Sequence, residues 1–309
     1  MEEQRLLSLL RPPEGIPDIV LDTDAYNEID DQFAIAYLLK NAARIRCHAI
    51  YAAPFSNEKA TTACEGMEKS HAEIKRLISF FPNCQIPVLH GSRGYLAGEH
   101  TPQPSSAAEH LVKLARAMPE GTPLYVVAIG AITNVASALL MAPDIARRIV
   151  TVWLGGNALH MDDQFEFNMR QDVAAARVVF DSGGALVQLP CCGVVDMFRV
   201  SRAELEWWLK GKNALCDDLV DRTIAEAERY AAGKPWTRVI WDVTAVAWLM
   251  NDPRLMDSRI IHRPIPQYDH HYSFDDRRPW MRYVCKIHRD ALMDELFRAL
   301  TRNEEEEHA

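Results

Sequence analysis

Five carboxylates fall inside ten residues of this chain, in the run Asp22-Thr23-Asp24-Ala25-Tyr26-Asn27-Glu28-Ile29-Asp30-Asp31. The run follows residues 16–21, which read as a buried strand, and leads into 30–40, whose apolar spacing is helical. Asp30 and Asp31 then fall in a first helical turn, where the macrodipole favours them. Like charges crowded at a buried strand end raise one another's pKa, and a bound cation removes the conflict. Donors that are all oxygen suit Ca²⁺ or Mg²⁺, and Ca²⁺ accepts roughly six to eight oxygens in irregular geometry. The plainer reading is a solvated acidic loop capping a helix. A second group, Phe165-Glu166-Phe167-Asn168, places Glu166 and Asn168 two apart, so an extended segment points both the same way, toward sugar hydroxyls. A third, Trp241-Asp242, precedes the apolar helix 243–250, and alone Asp242 reads as its N-cap.

The elements that must position these groups alternate. Strand patterns cover 16–21, 45–53, 87–89, 124–129, 149–154 and 185–189. Helical patterns cover 30–40, 57–81, 105–118, 133–141 and 172–180. Short apolar strands between helices imply parallel β-α-β units with right-handed crossovers. The expected fold is a single α/β domain over 1–303, with a mostly parallel central sheet flanked by helices. Residues 200–251 read as mainly helical, 264–279 as an irregular loop or hairpin, and 288–300 as a closing helix, giving a helical C-terminal part. The acidic run 304–309 reads as a frayed tail. In open α/β sheets ligands bind beyond the carboxyl ends of the strands, which is where the three polar groups fall.

With 309 residues, 48% apolar and 25% charged, the chain has an ordinary globular composition. A net charge of -9 argues against a nucleic-acid partner, which needs a basic surface, and more weakly against an anionic membrane. No long apolar run suggests a membrane span, and the acidic start is unlike a signal peptide, so a cytoplasmic location is expected. The seven cysteines are scattered and form no C-x₂-C pair. They read as reduced buried thiols, and core filling is the preferred role even for Cys191-Cys192, which follows a strand.

The ordered set of motifs resembles the inosine-uridine nucleoside hydrolase family. Asp22-Thr23-Asp24 with Asp30-Asp31 resembles that family's D-x-D-x-x-x-D-D segment. Gly130-Ala131-Ile132-Thr133-Asn134 resembles its G-x-x-T-N turn. Gly155-Gly156, Glu166-Phe167-Asn168, the helix from Asp172 to Phe180 and a late aspartate, Asp242, follow in the family's order. The resemblance implies a Rossmann-like fold and Ca²⁺-dependent hydrolysis of the N-glycosidic bond of a ribonucleoside. Asp24 would be general base to a metal-bound water and a metal ligand. Asp31, Asp242 and the Ile129 carbonyl would complete the ligands. Asp30, Glu166 and Asn168 would hold ribose, with Asn57, or Ser56 at a one-residue offset, adding a sugar contact. Asp22 would sit behind them, orienting the loop. Homodimers or homotetramers are usual in the family.

The sequence departs from the family in three places. The acidic run is two residues longer, at Ala25 to Ile29. Trp241 stands where many members place a histidine that protonates the leaving base, offering stacking instead. No H-G-E-S-G-like segment occurs; the nearest text is His90-Gly91-Ser92-Arg93-Gly94. His100 and His160 remain as acids, without support from spacing. Two other readings compete. A binding protein would keep the ribose site without turnover. A Mg²⁺ phosphatase of the haloacid-dehalogenase type shares D-x-D, but wants Thr or Val where Tyr26 stands.

Overall fold

Short apolar strands alternating with helices build one eight-stranded sheet in the computed structural model, which describes residues 1–302. The acidic tail 304–309 lies outside the described residues. The chain enters through α1 (Glu3–Leu9) and continues with β1 (Asp18–Thr23), α2 (Asp30–Lys40), β2 (Arg46–Ala52), α3 (Ala63–Ile78), β3 (Val88–His90) and α4 (Ser106–Ala117). Next come β4 (Leu124–Ala128), α5 (Thr133–Met141), β5 (Ile149–Leu154), the short α6 (Phe167–Gln171), α7 (Val173–Asp181) and β6 (Ala185–Leu189). A separate ribbon, β7 (Arg199–Ser201) with β8 (Thr237–Val239), brackets α8 (Arg202–Trp208) and α9 (Ala214–Ala231). Then follow α10 (Val243–Trp248), β9 (Met256–His262), the ribbon β10 (Ile265–Pro266) with β11 (Tyr272–Ser273), β12 (Trp280–Ile287) and α11 (Arg289–Thr301).

The sheet order is β3-β2-β1-β4-β5-β6-β12-β9, parallel throughout except for the antiparallel edge strand β9. The chain moves outward from β1 through β2 and β3, then returns to β4 on the opposite flank of β1. That reversal leaves a crevice beyond the carboxyl ends of β1 and β4, the place where such sheets bind ligands. Alternation along the strands supplies two core faces. Ile19, Leu21, Val127 and Val152 pack with α2 and α11 through Phe33 and Leu296. Val20, Val126 and Trp153 pack with α4, α5 and α7 through Leu111, Val135 and Val179.

The C-terminal part is not purely helical. α8, α9 and α10 are there, but β9 and β12 extend the main sheet, with β12 inserted between β6 and β9. Charged Asp257, Arg259, Arg282 and Lys286 interrupt their apolar character, and β9 is at most half-buried, so neither reads as a core strand. The helix expected over 57–81 starts at Ala63, because Thr62 accepts the Glu65 N–H as its cap. Before it, the Asn57 Oδ1 accepts the Lys59 N–H, turning the chain away from helix. Hairpin geometry does occur within 264–279.

Candidate active site

Two helices that start at the crevice carry acids at their uncapped first turns. α3, α4, α7, α8 and α9 open on capping side chains: Thr62, Ser105, Asp172, Ser201 and Asn213. α2 and α10 do not. Ile29 stands at the first of these, and Asp242 occupies the cap position of the second without making a cap bond. The acids there are thus free for another task. β1 carries Asp22 and Thr23 into the crevice with Asp24 next, and the Asn27 N–H donates to the Asp24 carbonyl at 2.7 Å, closing a turn that leads to Asp30 and Asp31. Ile129 is held alongside, its N–H donating to the Asp22 carbonyl at 2.8 Å.

Asp30, Asp31 and Asp242 each bring a carboxylate oxygen within 4.8 Å of the others, and all three are buried. Asp24 is buried beside them, and Gly130 makes room for it: a Cβ there would lie 2.7 Å from the Asp24 Oδ1. Thr23 Oγ1 donates to Asp31 Oδ1 at 2.5 Å. Asn134 donates to Asp22 Oδ1 at 2.7 Å, and Ser92 in turn holds the Asn134 oxygen through its N–H and hydroxyl. The His90-to-Gly94 segment therefore lies behind the carboxylates rather than in the pocket.

Burial raises the proton affinity of every carboxylate in this cluster. It pushes Asp22 up to about 7 against the opposing Asn134 bond. Asp31 rises to about 7 from burial, with the charge of Glu28 adding to it against the Thr23 bond. Asp24, Asp30 and Asp242 rise well above the usual range from burial, then from the charges of Asp31, Glu28 and Asp30 respectively. Positive charge nearby is sparse. Arg238 pairs with Glu28 at 2.6 Å and reaches only 3.8 Å from Asp30 Oδ1. Among the described residues Asp22 Oδ2, Asp24 Oδ2 and Asp30 Oδ1 are buried with no hydrogen-bond partner. Each such group costs about 1–3 kcal/mol or more when left unsatisfied. An all-oxygen, anionic cluster with three unpartnered oxygens fits a hard divalent cation.

The cavity above the cluster holds about 460 Å³. Asp24, Asp30, Asp31, Ile129, Glu166, Asn168, Trp241 and Asp242 all line it. Glu166 does not lie in an extended segment; it caps α6, its carboxylate accepting the N–H groups of Gly156, Asn168 and Met169 at 2.8–3.0 Å. Asn168 donates its amide to the carbonyls of Ile129 (3.2 Å) and Leu154 (3.0 Å), leaving its oxygen as the atom to offer a ligand. Asn57 is not a lining residue. Its amide donates to Asn27 Oδ1 at 2.7 Å, and Asn27 is what faces the cavity. Ser56 also stands aside, bonded to Tyr95 and Gln171. Of the enlarged loop, Asn27 and Glu28 reach the cavity, while Tyr26 is exposed beneath the Lys69 ammonium.

Cys191 and Cys192 do not serve only as core filling: both line the cavity, where the Cys191 thiol bonds to Glu166. Phe165 and Phe167, the aromatic members of the second motif, stand at the mouth, and two residues without a sequence signal also line the cavity, Arg170 and Asn157. Only their place between the Gly-Gly strand end and α7 hinted at them. Among the described residues no histidine lines the cavity. His100 faces a separate hollow with Leu139 and Val178, and His160 another with Arg259 and Tyr283.

Fold and site together define an α/β protein with a cation-suited acidic pocket at the switch point of its sheet. The chain belongs to the inosine-uridine preferring nucleoside hydrolase family, whose model matches residues 19–293. It is 30% identical over 161 residues to a pyrimidine-specific ribonucleoside hydrolase of Citrobacter koseri, covering 43% of this chain and 51% of that one. A pyrimidine-specific hydrolase of an Enterobacter species is 28% identical over 264 residues, 75% of this chain and 78% of its own. A non-specific ribonucleoside hydrolase of Shigella flexneri is 28% identical over 57% of this chain and 60% of its own length. The chain thus spans about half to three quarters of the length of these curated relatives. In fold it resembles a plant nucleoside hydrolase (TM-score 0.74, 18% identity, 93% of this chain and 99% of that chain). It likewise resembles a purine-preferring ribonucleoside hydrolase of Gardnerella vaginalis (0.73, 19%, 92% and 98%).

Proposed function

We propose that this chain hydrolyses the N-glycosidic bond of a ribonucleoside with the help of Ca²⁺, releasing ribose and the free base. The observation that carries the reading is the buried carboxylate cluster, with three of its oxygens unpartnered, at the switch point of a nucleoside hydrolase fold. Asp24, Asp31, Asp242 and the Ile129 carbonyl would hold the cation, and the proximity of Asp30 to Asp31 and Asp242 supports counting it among the donors. A bound cation acidifies and orients water. Asp24, buried at the strand end and lining the cavity, is placed to take the proton of the attacking water. Glycosidic cleavage develops an oxocarbenium ion, and the surrounding carboxylates favour that positive charge. Asp30, Glu166 and Asn168 would fix the ribose; Trp241 offers a stacking face; Asp22 steadies the strand end. Asn57 would act through Asn27. The base preferences of the relatives differ among themselves, so none is carried over. Homodimers or homotetramers are part of the same proposal, and light scattering checks them.

Reducing-sugar release from a nucleoside panel, with and without chelator, tests the reading. Release that chelator abolishes and Ca²⁺ restores is expected. The pocket without a histidine favours one alternative, a ribose-binding protein lacking turnover. Calorimetric binding of nucleosides without any release would establish that alternative.

A further inference from the structure

Among the described residues six carboxylates and one cation line the cavity, and the cation is Arg170. It stands at the end of the segment that supplies Glu166 and Asn168. Its guanidinium carbon lies 5.2 Å from the ring centroid of Phe165 and 5.1 Å from that of Phe167. Among the described residues no carboxylate forms an ion pair with it. Elsewhere in this acidic chain arginines repeatedly take acidic partners, as Arg177 does with Glu99 and Arg238 with Glu28. An exposed arginine held between two phenyl faces keeps its N–H edge for a ligand.

Resting on the hydrolase reading above, we infer that Arg170 determines which leaving group the pocket accepts, selecting bases that depart as anions or carry a carboxylate. The chemistry requires some such group. As water's oxygen bonds to C1′, the C1′–N bond breaks and its electron pair goes to the base nitrogen. The water's proton passes to Asp24, and the departing nitrogen needs either a proton or a positive charge. Among the described residues no histidine lines the cavity to give the first. Arg170 supplies the second: it cannot surrender a proton near neutral pH, but its donors stabilise a developing anion. The base anion is protonated by solvent after release. Bases whose glycosidic nitrogen carries a well-delocalised anion, such as xanthine and uracil, or whose ring bears a carboxylate, such as orotate, meet that condition; cytosine, whose N1 anion is much more basic, meets it less well. A sugar 5′-phosphate would also attract an arginine, but the flanking Phe165, Phe167 and Trp241 rings match a planar base and have nothing to offer a phosphate.

The test uses the full-length protein with Ca²⁺ and compares wild type, Arg170→Met and Arg170→Lys. Substrates are uridine, xanthosine, orotidine, cytidine, adenosine, uridine 5′-monophosphate and p-nitrophenyl riboside. Wild type should prefer xanthosine, uridine and orotidine to cytidine. Arg170→Met should lower kcat/KM for these by about 10- to 100-fold, the range for a charge-assisted hydrogen bond, and Arg170→Lys should restore part of it. Activity on p-nitrophenyl riboside, whose leaving group needs no help, should stay within about threefold. An equal loss on all substrates, or a loss confined to the 5′-monophosphate, overturns the assignment. So does activity that survives Arg170→Met but is lost in His270→Ala, since His270 packs edge-on against Phe165 at 4.8 Å from outside the cavity. If wild type cleaves nothing, the hydrolase reading fails by itself. Calorimetry then decides the role of Arg170: tighter binding of orotidine than cytidine, lost in Arg170→Met, upholds anion recognition, and equal binding rejects it.

Discussion

The floor and the mouth of the pocket are built on opposite terms. The floor is buried, anionic and rigidly placed: Asp22 and Thr23 end a central strand, and Asp30, Asp31 and Asp242 open helices without capping them. The mouth is exposed, aromatic and carries one positive charge, on the short helix α6. A floor of that kind stores electrostatic strain that a bound cation or added protons relieve, so it tolerates little change. A mouth of that kind costs the fold almost nothing, so it is free to differ among relatives whose base preferences differ. The chemistry common to a family belongs in the first region and substrate choice in the second.

Breaking the floor should have the largest effect. Asp24→Asn is expected to lower kcat by about 10⁴-fold, the upper end for loss of a general base, because a metal donor is weakened as well. Steady-state kinetics alongside elemental analysis of bound Ca²⁺ checks it; full activity at full metal content would undo the assignment. Gly130→Ala comes next. Its methyl would sit 2.7 Å from Asp24 Oδ1, so kcat should fall on the order of 100-fold while the sheet, built elsewhere, stays folded by circular dichroism.

A third measurement separates the two regions by pH. Asp22 and Asp31 each have a folded pKa of about 7, above the unfolded value, so the folded apoprotein binds more protons than the unfolded chain between about pH 4 and 7. Stability therefore falls as pH rises through that window. The melting temperature of chelated protein should be several degrees lower at pH 8 than at pH 5, and Ca²⁺ should remove most of the gap. Arg170→Met should leave this profile unchanged, since the mouth takes no part in it. The smallest effect is expected at Asn57→Ala, which removes a bond to Asn27 rather than a lining group: KM should rise by about two- to fivefold with kcat nearly constant. A loss of kcat as large as that of Asp24→Asn would place Asn57 on the floor itself.

Much of the floor was legible in the chain. An apolar strand followed by five carboxylates is a pattern that solvent alone rarely explains, and Asp24, Asp30, Asp31, Glu166, Asn168 and Asp242 do converge on one cavity. The parallel alternation through β6 was equally plain, because strands covered on both faces are continuously apolar. β9 and β12 were not, since strands partly open to solvent carry charges that break the run. Nor was the displacement of Asn57 from the pocket, which depends on which of two neighbouring amides, Asn27 or Asn57, stands nearer the cavity.

By itself, then, the sequence determined the acids, their order and the strands that carry them, because periodicity and charge are local properties of the chain. Tertiary structure decided everything that depends on distance across the switch point. It placed Asp242 within reach of Asp30 and Asp31, some two hundred residues earlier. It withheld hydrogen-bond partners from three buried carboxylate oxygens. It also brought Arg170, Cys191 and Cys192 to a cavity that no histidine among the described residues lines. Burial and partnership depend on what the rest of the chain packs alongside, and no local spacing encodes that.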